Sequence, residues 1–169
     1  MHKLKYLSAL LLLASSFVCN AQSGYRGMFN AGWIFTENAS FEAITIHGYQ
    51  FNPHLFVGGG AGINYYSSSD GHDAGFIPIF ADVRGYLLKG KISPYAETKI
   101  GALVPYAEGG TSLYFAPEIG CKFHTSKKFA LTVGVEFILK DTKDISSRDL
   151  GYSRYIDTGG LSAKIGIEF

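Results

Sequence analysis

The sequence predicts an all-β fold, an eight-stranded antiparallel up-and-down transmembrane β-barrel, and three observations support it. First, apolar and polar residues alternate with a period of two almost throughout residues 22–169, as in strands with two different faces. Second, the alternating segments run for 11 to 14 residues, and a tilted strand crosses a membrane in about 9–11. Third, shorter and longer connections alternate along the chain, as in membrane barrels with an even number of strands.

Residues 1–21 have the order of features found in a cleaved secretory signal peptide. Lys3 and Lys5 supply positive charge, residues 7–18 form an apolar run, and the small residues at 19–21 suit a signal peptidase. A buried N-terminal helix is the alternative interpretation. We therefore expect residues 22–169 to form a single barrel domain that is exported to the outer membrane of a Gram-negative cell.

Charge and cysteine content narrow the class of protein further. Without the signal peptide, the chain carries 13 basic and 14 acidic side chains, a balance that argues against nucleic acid as a partner. Cys121 is then the sole cysteine, so no internal disulfide is possible. No second apolar run approaches the roughly 20 residues that a transmembrane helix needs.

Eight alternating segments cover most of the chain after the signal peptide. They are residues 25–35, 40–52, 54–66, 75–88, 92–104, 111–123, 128–140 and 159–169. The last segment shows the pattern most clearly. Every second residue of this segment is apolar, and these residues are Leu161, Ala163, Ile165, Ile167 and Phe169. The fourth to seventh segments likewise place charged residues opposite an apolar series, with Ile138 as an exception.

Two segments do not fit a regular closed barrel. The second has Ile44 and Ile46 on one side but three aromatic residues on the other, and a β-bulge near His47 would reconcile the two sets. Pro117 falls inside the sixth segment, where its missing amide would interrupt a ladder that has no free edge.

The connections predict which ends of the segments lie together. Short polar turns occupy residues 52–54, 89–91 and 124–127, whereas long loops occupy residues 67–74 and 141–158. With eight strands, both termini lie at the end that carries the short turns. By analogy with membrane barrels, we expect this end in the periplasm and the long loops outside the cell.

Aromatic residues cluster toward both ends of the predicted strands, as in the interfacial girdles of membrane proteins. Toward the loops lie Trp33, Phe35, Tyr65, Tyr106 and Tyr114. Toward the turns lie Tyr25, Phe51, Phe123, Phe129 and Phe169.

Three stretches, "CNAQ", "GYQFNPHLFVGGGAGINYY" and "GGLSAKIGIEF", resemble small eight-stranded outer-membrane barrels of the OmpA/OmpX-like superfamily, in particular the outer membrane β-barrel domain family of Bacteroidetes type. The resemblance covers the mature chain. It implies that a C-terminal aromatic residue with alternating apolar residues before it is read by the outer-membrane barrel assembly machinery. The positions that match this assembly signal are Ala163, Ile165, Ile167 and Phe169. The resemblance implies a fold and a compartment, but no activity.

If the apolar faces contact lipid, the opposing charges fill the interior, which in an eight-stranded barrel is just wide enough for side chains. Buried charges are costly unless they are paired, so we expect an interlocked ionic network and no open channel. The residues assigned to this network are Asp82, Arg84, Glu97, Lys99, Glu118, Lys122, Glu136 and Lys164. Four more charges share this face but lie nearer the strand ends, where hydration is the alternative; they are Arg26, Glu42, Lys140 and Glu168.

The glycine-rich stretch "FVGGGAGINYY" resembles a phosphate-binding loop in composition but not in spacing, and no helical pattern follows it. Alternation instead turns Gly58, Gly60 and Gly62 toward the lumen. The side chains expected to fill the space that they leave are Asp82, Arg84 and Tyr86 of the next strand.

We predict no catalytic, metal or cofactor site. His72 lies near Asp70, Asp73 and three serines, which would suit a hydrolase or a weak metal site, but a polar loop explains this composition better. The stretch from His124 to Ser126 resembles the His-x-Ser of lipid A deacylase barrels, yet it falls in a turn predicted to face the periplasm. No zinc-ligand spacing is present.

The leading functional hypothesis is a non-enzymatic outer-membrane barrel with a structural or surface-interaction role. Its expected partners are outer-membrane lipid, the barrel assembly machinery during insertion, and an extracellular partner that contacts loop 141–158. The residues of that loop best suited to protein recognition are Arg148, Tyr152, Arg154 and Tyr155. Alternatives are a small pore or transporter, a lipid-modifying barrel enzyme, and a soluble lipocalin-like barrel, which Gly32-Trp33 faintly suggests.

Overall fold

The computed structural model describes residues 24–35, 39–67, 74–106, 110–126, 129–141 and 160–169. These ranges contain the strands β1 (Gly24–Phe35), β2 (Ala39–Asn52), β3 (Leu55–Tyr66), β4 (Ala74–Tyr86), β5 (Ile92–Pro105), β6 (Ser112–His124), β7 (Ala130–Asp141) and β8 (Gly160–Glu168). No helix within them is long and apolar enough to cross a membrane. Each strand pairs antiparallel with the next along the chain, and β8 pairs with β1. The predicted closed eight-stranded barrel is therefore confirmed.

Every strand begins and ends within two residues of the segment predicted from the sequence. The agreement is close because apolar alternation stops where a turn begins, so one pattern marks both the strand and its limits. We call the end of the barrel with the β2–β3, β4–β5 and β6–β7 connections the turn end, and the opposite end the loop end.

The barrel closes through the pairing of its first and last strands. Beyond the β1–β8 ladder, the amide of Gly27 donates to the carbonyl of Phe169 at 2.8 Å, and the amide of Phe169 donates to the carbonyl of Gly27 at 2.9 Å. A Cβ atom on Gly27 would lie 2.6 Å from the Phe169 ring. Gly27 therefore gives the ring of the last residue room to lie against β1.

The two faces of the barrel have opposite chemistry. Side chains that point outward are mostly apolar and exposed, and examples from different strands are Ile79, Ile100, Ile119 and Val133, each at least half exposed. Side chains that point inward include most of the charged residues of the strands. This distribution is the inverse of a soluble barrel and is typical of a barrel surrounded by lipid.

β2 alternates regularly, so the predicted bulge near His47 is wrong. The single register shift between β2 and β3 lies between Gln50 and Asn52. Ile44 and Ile46 are fully buried in the lumen, and the three aromatic residues that share the other face are exposed; they are Phe41, Tyr49 and Phe51. The assignment failed because this part of the lumen is lined by apolar side chains, so both faces of β2 carry apolar residues.

His47 lies on the exposed outer face of β2. Its Nδ1 lies 2.5 Å from the hydroxyl of Tyr25, and its Nε2 lies 2.9 Å from the hydroxyl of Thr45. Both ring nitrogens are thus satisfied by neighbours on β1 and β2.

Proline interrupts the ladders without changing their register. Between β6 and β7 the pairing runs from Phe115 with Leu139 to Glu118 with Glu136, and it omits the positions around Pro117. The β3–β4 ladder is interrupted in the same way opposite Pro78. Each proline lacks the backbone N–H that would donate to one of its two neighbouring strands. Pairing with the other neighbouring strand continues through the proline.

The aromatic girdles are present, with one correction. Of the residues predicted to lie in them, Tyr114 is fully buried in the lumen, where its hydroxyl lies 3.4 Å from Glu136. Tyr65 is half-buried. The others are exposed on the outer face, namely Trp33, Phe35, Tyr106, Tyr25, Phe51, Phe123, Phe129 and Phe169.

The middle and loop-end parts of the lumen hold an apolar layer that the sequence analysis did not predict. The rings of Tyr66 and Phe76 pack edge to face at 5.8 Å between centroids, and those of Phe80 and Tyr114 lie 5.6 Å apart. Other buried members include Ile34, Ile44, Leu103 and Ile138. Aromatic packing of this kind fills space tightly, so the layer fills this part of the lumen with side chains.

The glycine-rich stretch lies inside β3 and makes room for rings, although not those that were expected. Added Cβ atoms would meet the Phe56 ring at 2.8 Å from Gly58 and the Phe80 ring at 2.7 Å from Gly60. The expectation that Asp82, Arg84 and Tyr86 fill this space is therefore wrong. Phe56 is on β3 itself, and Phe80 is the register partner of Gly60 on β4.

Replacing Gly60 by Leu is expected to impair barrel assembly, because the new side chain would collide with the Phe80 ring and with the carbonyl of Thr45. The measurement is the folded fraction after refolding into detergent, read from the mobility shift between unboiled and boiled samples on a gel. The matched control is Gly59→Leu, whose side chain points outward and whose Cβ lies 3.2 Å from the nearest atom. Full assembly of Gly60→Leu alongside failure of the control would contradict the inward assignment.

Candidate functional site

The candidate site is the lumen, where the structure places all eight residues assigned to the ionic network. They are 0–7 % exposed, and they come from β4 to β8. Because inward positions recur at every second residue of each strand, charges far apart in the sequence meet across the interior.

Lys99 is the centre of the network. Its ammonium lies 2.6 Å from Glu136, 2.7 Å from Glu118 and 3.0 Å from Glu97. These three carboxylates belong to β7, β6 and β5, so one cation links three consecutive strands. The ammonium has three donors, and each of them has a carboxylate within reach.

Aromatic residues extend the network on the side of β4. Arg84 forms an ion pair with Glu97, and its guanidinium lies 4.5 Å from the centroid of the Tyr95 ring. The Tyr95 hydroxyl donates to Glu118 at 2.6 Å. Tyr95 was not among the predicted site residues, since an aromatic residue opposite an apolar series gives no signal for a role as a hydrogen-bond donor.

Lys164 carries the network to β8 and β2. Its ammonium lies 2.7 Å from Glu136, 3.2 Å from Glu42 and 3.7 Å from Glu118. The hydroxyl of Ser162 also donates to Glu42 at 2.6 Å. Glu42 is only 1 % exposed, so it belongs to the interior and is not hydrated at a strand end.

A second, smaller cluster lies nearer the turn end. The ammonium of Lys122 lies 2.5 Å from Glu168 and 4.6 Å from the centroid of the Tyr86 ring. The Tyr86 hydroxyl donates to the same carboxylate at 2.9 Å. Glu168 is 2 % exposed and is therefore another interior residue, whereas Arg26 is half-buried. The side chain of Lys140 lies outside the described part of the chain.

Asp82 is the one assigned residue that forms no ion pair among the described residues, although its carboxylate lies close to that of Glu97. It is fully buried, and neither carboxylate oxygen has a hydrogen-bond partner among the described residues. Lys99 lies directly opposite it in the β4–β5 register, but the ammonium is occupied by three glutamates. Gly58, its partner on β3, has no side chain to offer.

The arrangement is suited to holding strands together and to excluding a water-filled path. Buried ion pairs recover their desolvation cost only where the geometry is good and further hydrogen bonds are made. Tyrosine and serine hydroxyls supply such bonds to Glu42, Glu118 and Glu168, whereas the Arg84–Glu97 pair has none among the described residues. The network contacts six of the eight strands, and the apolar layer packs in the lumen beyond it. The side chains of the network fill the interior, and their ion pairs link neighbouring strands.

The other sequence candidates do not form a reactive site in the described residues. His124 is exposed at the end of β6, and the hydroxyl of Ser126 accepts from the amide of Phe129 at 3.1 Å. No cluster of metal-ligating side chains occurs within the described ranges. His72 lies outside those ranges, as do Arg148, Tyr152, Arg154 and Tyr155 of the candidate partner loop.

Solved structures with a similar fold are eight-stranded outer-membrane barrels. Neisserial surface protein A matches with a TM-score of 0.58 at 13% identity, over 88% of this chain and 98% of that one. The N-terminal β-barrel domain of Pseudomonas aeruginosa OprF matches with a TM-score of 0.53 at 11% identity, over 88% and 98%. No protein-family model and no curated protein sequence matches the chain. The likeness supports the closed eight-stranded barrel fold.

Replacing Lys99 by Met is expected to lower the free energy of unfolding by about 3–5 kcal/mol, because three buried carboxylates would lose their shared cation. The measurement is urea unfolding in lipid vesicles, followed by the fluorescence of the single tryptophan, Trp33.

Asp82→Asn is the comparison for that substitution. Because the Asp82 carboxylate has no hydrogen-bond partner among the described residues, removing its charge is expected to leave stability unchanged or to raise it by about 1 kcal/mol. Equal losses in the two variants would show that Lys99 is not the centre of a stabilising network.

Proposed function

We propose that this protein is an integral outer-membrane β-barrel with a side-chain-filled lumen, and that its role is non-enzymatic, in envelope structure or surface interaction. The observation that carries the proposal is the inversion of the barrel, with apolar side chains around the outside and paired charges within. A soluble barrel with this surface would expose an apolar area far larger than monomers tolerate.

Three features support membrane residence in particular. Seven of the strands are 12–14 residues long and β8 is 9, which suits tilted strands that cross a bilayer. Exposed aromatic residues lie near both ends, as at the two membrane interfaces. The short turns and long loops support an orientation with the turn end in the periplasm and the loop end outside the cell.

The surface-interaction part of the proposal concerns loop 141–158. Its arginines and tyrosines, which are Arg148, Arg154, Tyr152 and Tyr155, are residue types that contribute strongly to protein interfaces. An extracellular loop with this composition suits contact with another protein.

The filled lumen predicts that the pure protein does not conduct ions. The measurement is single-channel recording in planar bilayers, with a known porin as the positive control, on protein that shows a heat-dependent mobility shift in the outer-membrane fraction. We expect no current steps, because the ionic network and the apolar layer occupy the interior. Reproducible unitary conductance would favour a small pore instead. A soluble periplasmic protein without a heat shift would refute membrane residence.

The C-terminal pattern predicts a separate role in assembly. Phe169→Ala is expected to reduce the amount of barrel assembled in cells severalfold, while refolding of the purified variant into detergent stays near wild type, since recognition by the assembly machinery is lost but the strands are intact. Phe129→Ala is the control, because it also removes an exposed aromatic ring at the turn end. Equal effects of the two variants in cells would argue against an assembly signal at Phe169.

A further inference from the structure

The lumen contains a cavity of about 250 Å³ at the turn end of the barrel. It is smaller than the roughly 300–1,000 Å³ of a typical drug-sized pocket, so it would hold a small ligand or one chemical group. Side chains that line it include Arg26, Gln50, Tyr86, Lys89, Lys122 and His124. They come from β1, β2, β4, the β4–β5 turn and β6.

The lining is rich in positive charge. Arg26, Lys89 and Lys122 are cationic at neutral pH, and His124 adds a further nitrogen donor or acceptor at the rim. Among the described residues, Arg26 and Lys89 take part in none of the ion pairs, and the Glu168 carboxylate beside Lys122 is already bound by Lys122 and Tyr86. The cavity therefore has an excess of cationic charge.

The inner side of the cavity contains Tyr86 and Lys122. The Tyr86 and Tyr95 rings pack edge to face with centroids 6.1 Å apart, and the Lys122–Glu168 pair lies beside them. Arg26 is half-buried and Lys89 is exposed, so cationic donors line a pocket that is partly open to solvent. Such an arrangement concentrates positive potential where a ligand would enter.

We propose that this turn-end cavity binds a phosphate-type oxyanion. At neutral pH, free phosphate carries between about one and two negative charges and a phosphodiester headgroup carries about one, and both offer acceptor oxygens to the cations that approach from different strands. Arginine donates to such a group through two parallel N–H bonds, and lysine binds it as a point charge.

Two sources can supply this group, namely free phosphate or the headgroup of an anionic phospholipid at the barrel mouth. The binding site rests on geometry alone. Only the compartment that it faces, the periplasm, rests on the function proposed above, so a binding measurement in detergent can fail independently of membrane residence or conductance.

The experiment is a titration of the folded, full mature chain in non-ionic detergent with inorganic phosphate, at about 0.15 M NaCl to screen surface charge. The readout is the backbone amide shifts of Tyr86, Ser93 and Lys122 in NMR spectra. Arg26→Gln is expected to weaken binding by about tenfold or more, since it removes a charge-assisted contact. Lys91→Gln is the matched control, because Lys91 lies in the same turn as Lys89 but does not line the cavity.

A second titration uses detergent micelles doped with phosphatidylglycerol, against phosphatidylcholine at the same fraction. Shifts caused by phosphatidylglycerol but not by free phosphate would support the site and identify a headgroup as the source. Shifts caused by free phosphate would support the site and a soluble ligand. The proposal is overturned if neither ligand moves these amides, or if Lys91→Gln weakens binding as much as Arg26→Gln. The heat-dependent gel shift of each variant confirms that it is folded.

Discussion

Backbone hydrogen bonding around a closed ring is the constraint on which the rest of this structure depends. In lipid a strand cannot leave one edge unpaired, because water is absent and each unsatisfied amide or carbonyl costs several kcal/mol. The β1–β8 ladder, extended by the reciprocal bonds between Gly27 and Phe169, removes the last free edge. Closure then divides all side chains between an outer surface and a narrow interior, which side chains fill apart from the cavity at the turn end.

The interior is filled in two different ways along the barrel. Toward the loops, rings and aliphatic side chains such as Tyr114 and Phe80 pack as they would in the core of a soluble protein. In the middle, Lys99 and Lys164 bridge glutamates from several strands. The apolar and ionic parts of the lumen meet beside the glycines of β3. Because these glycines have no side chains, the Phe56 and Phe80 rings can lie close to the β3 backbone. Each layer excludes water from the other, which strengthens the ionic contacts.

Charge is also distributed unevenly along the barrel axis. The turn end carries the cation-lined cavity around Arg26 and Lys122, whereas most ionised groups in the middle are neutralised by neighbours. In a barrel whose centre is filled, recognition is confined to the two ends. The turn-end cavity and loop 141–158 would thus face different compartments, and a ligand at one end could not pass through to the other.

Alternation in the sequence was sufficient for the strands, the closed topology and the faces of β4 to β8, because a period of two follows directly from strand geometry. It also brought together the charges that line the lumen. It did not resolve the faces of β2, where Ile44 and Ile46 are buried, since a local pattern separates two faces without saying what lies across the barrel. Partner choice depended on contacts between residues far apart in the chain, as between Glu42 and Ser162. The sequence by itself determined which residues share a face; only tertiary closure decided which of them meet, because pairing of β8 with β1 sets every distance across the lumen.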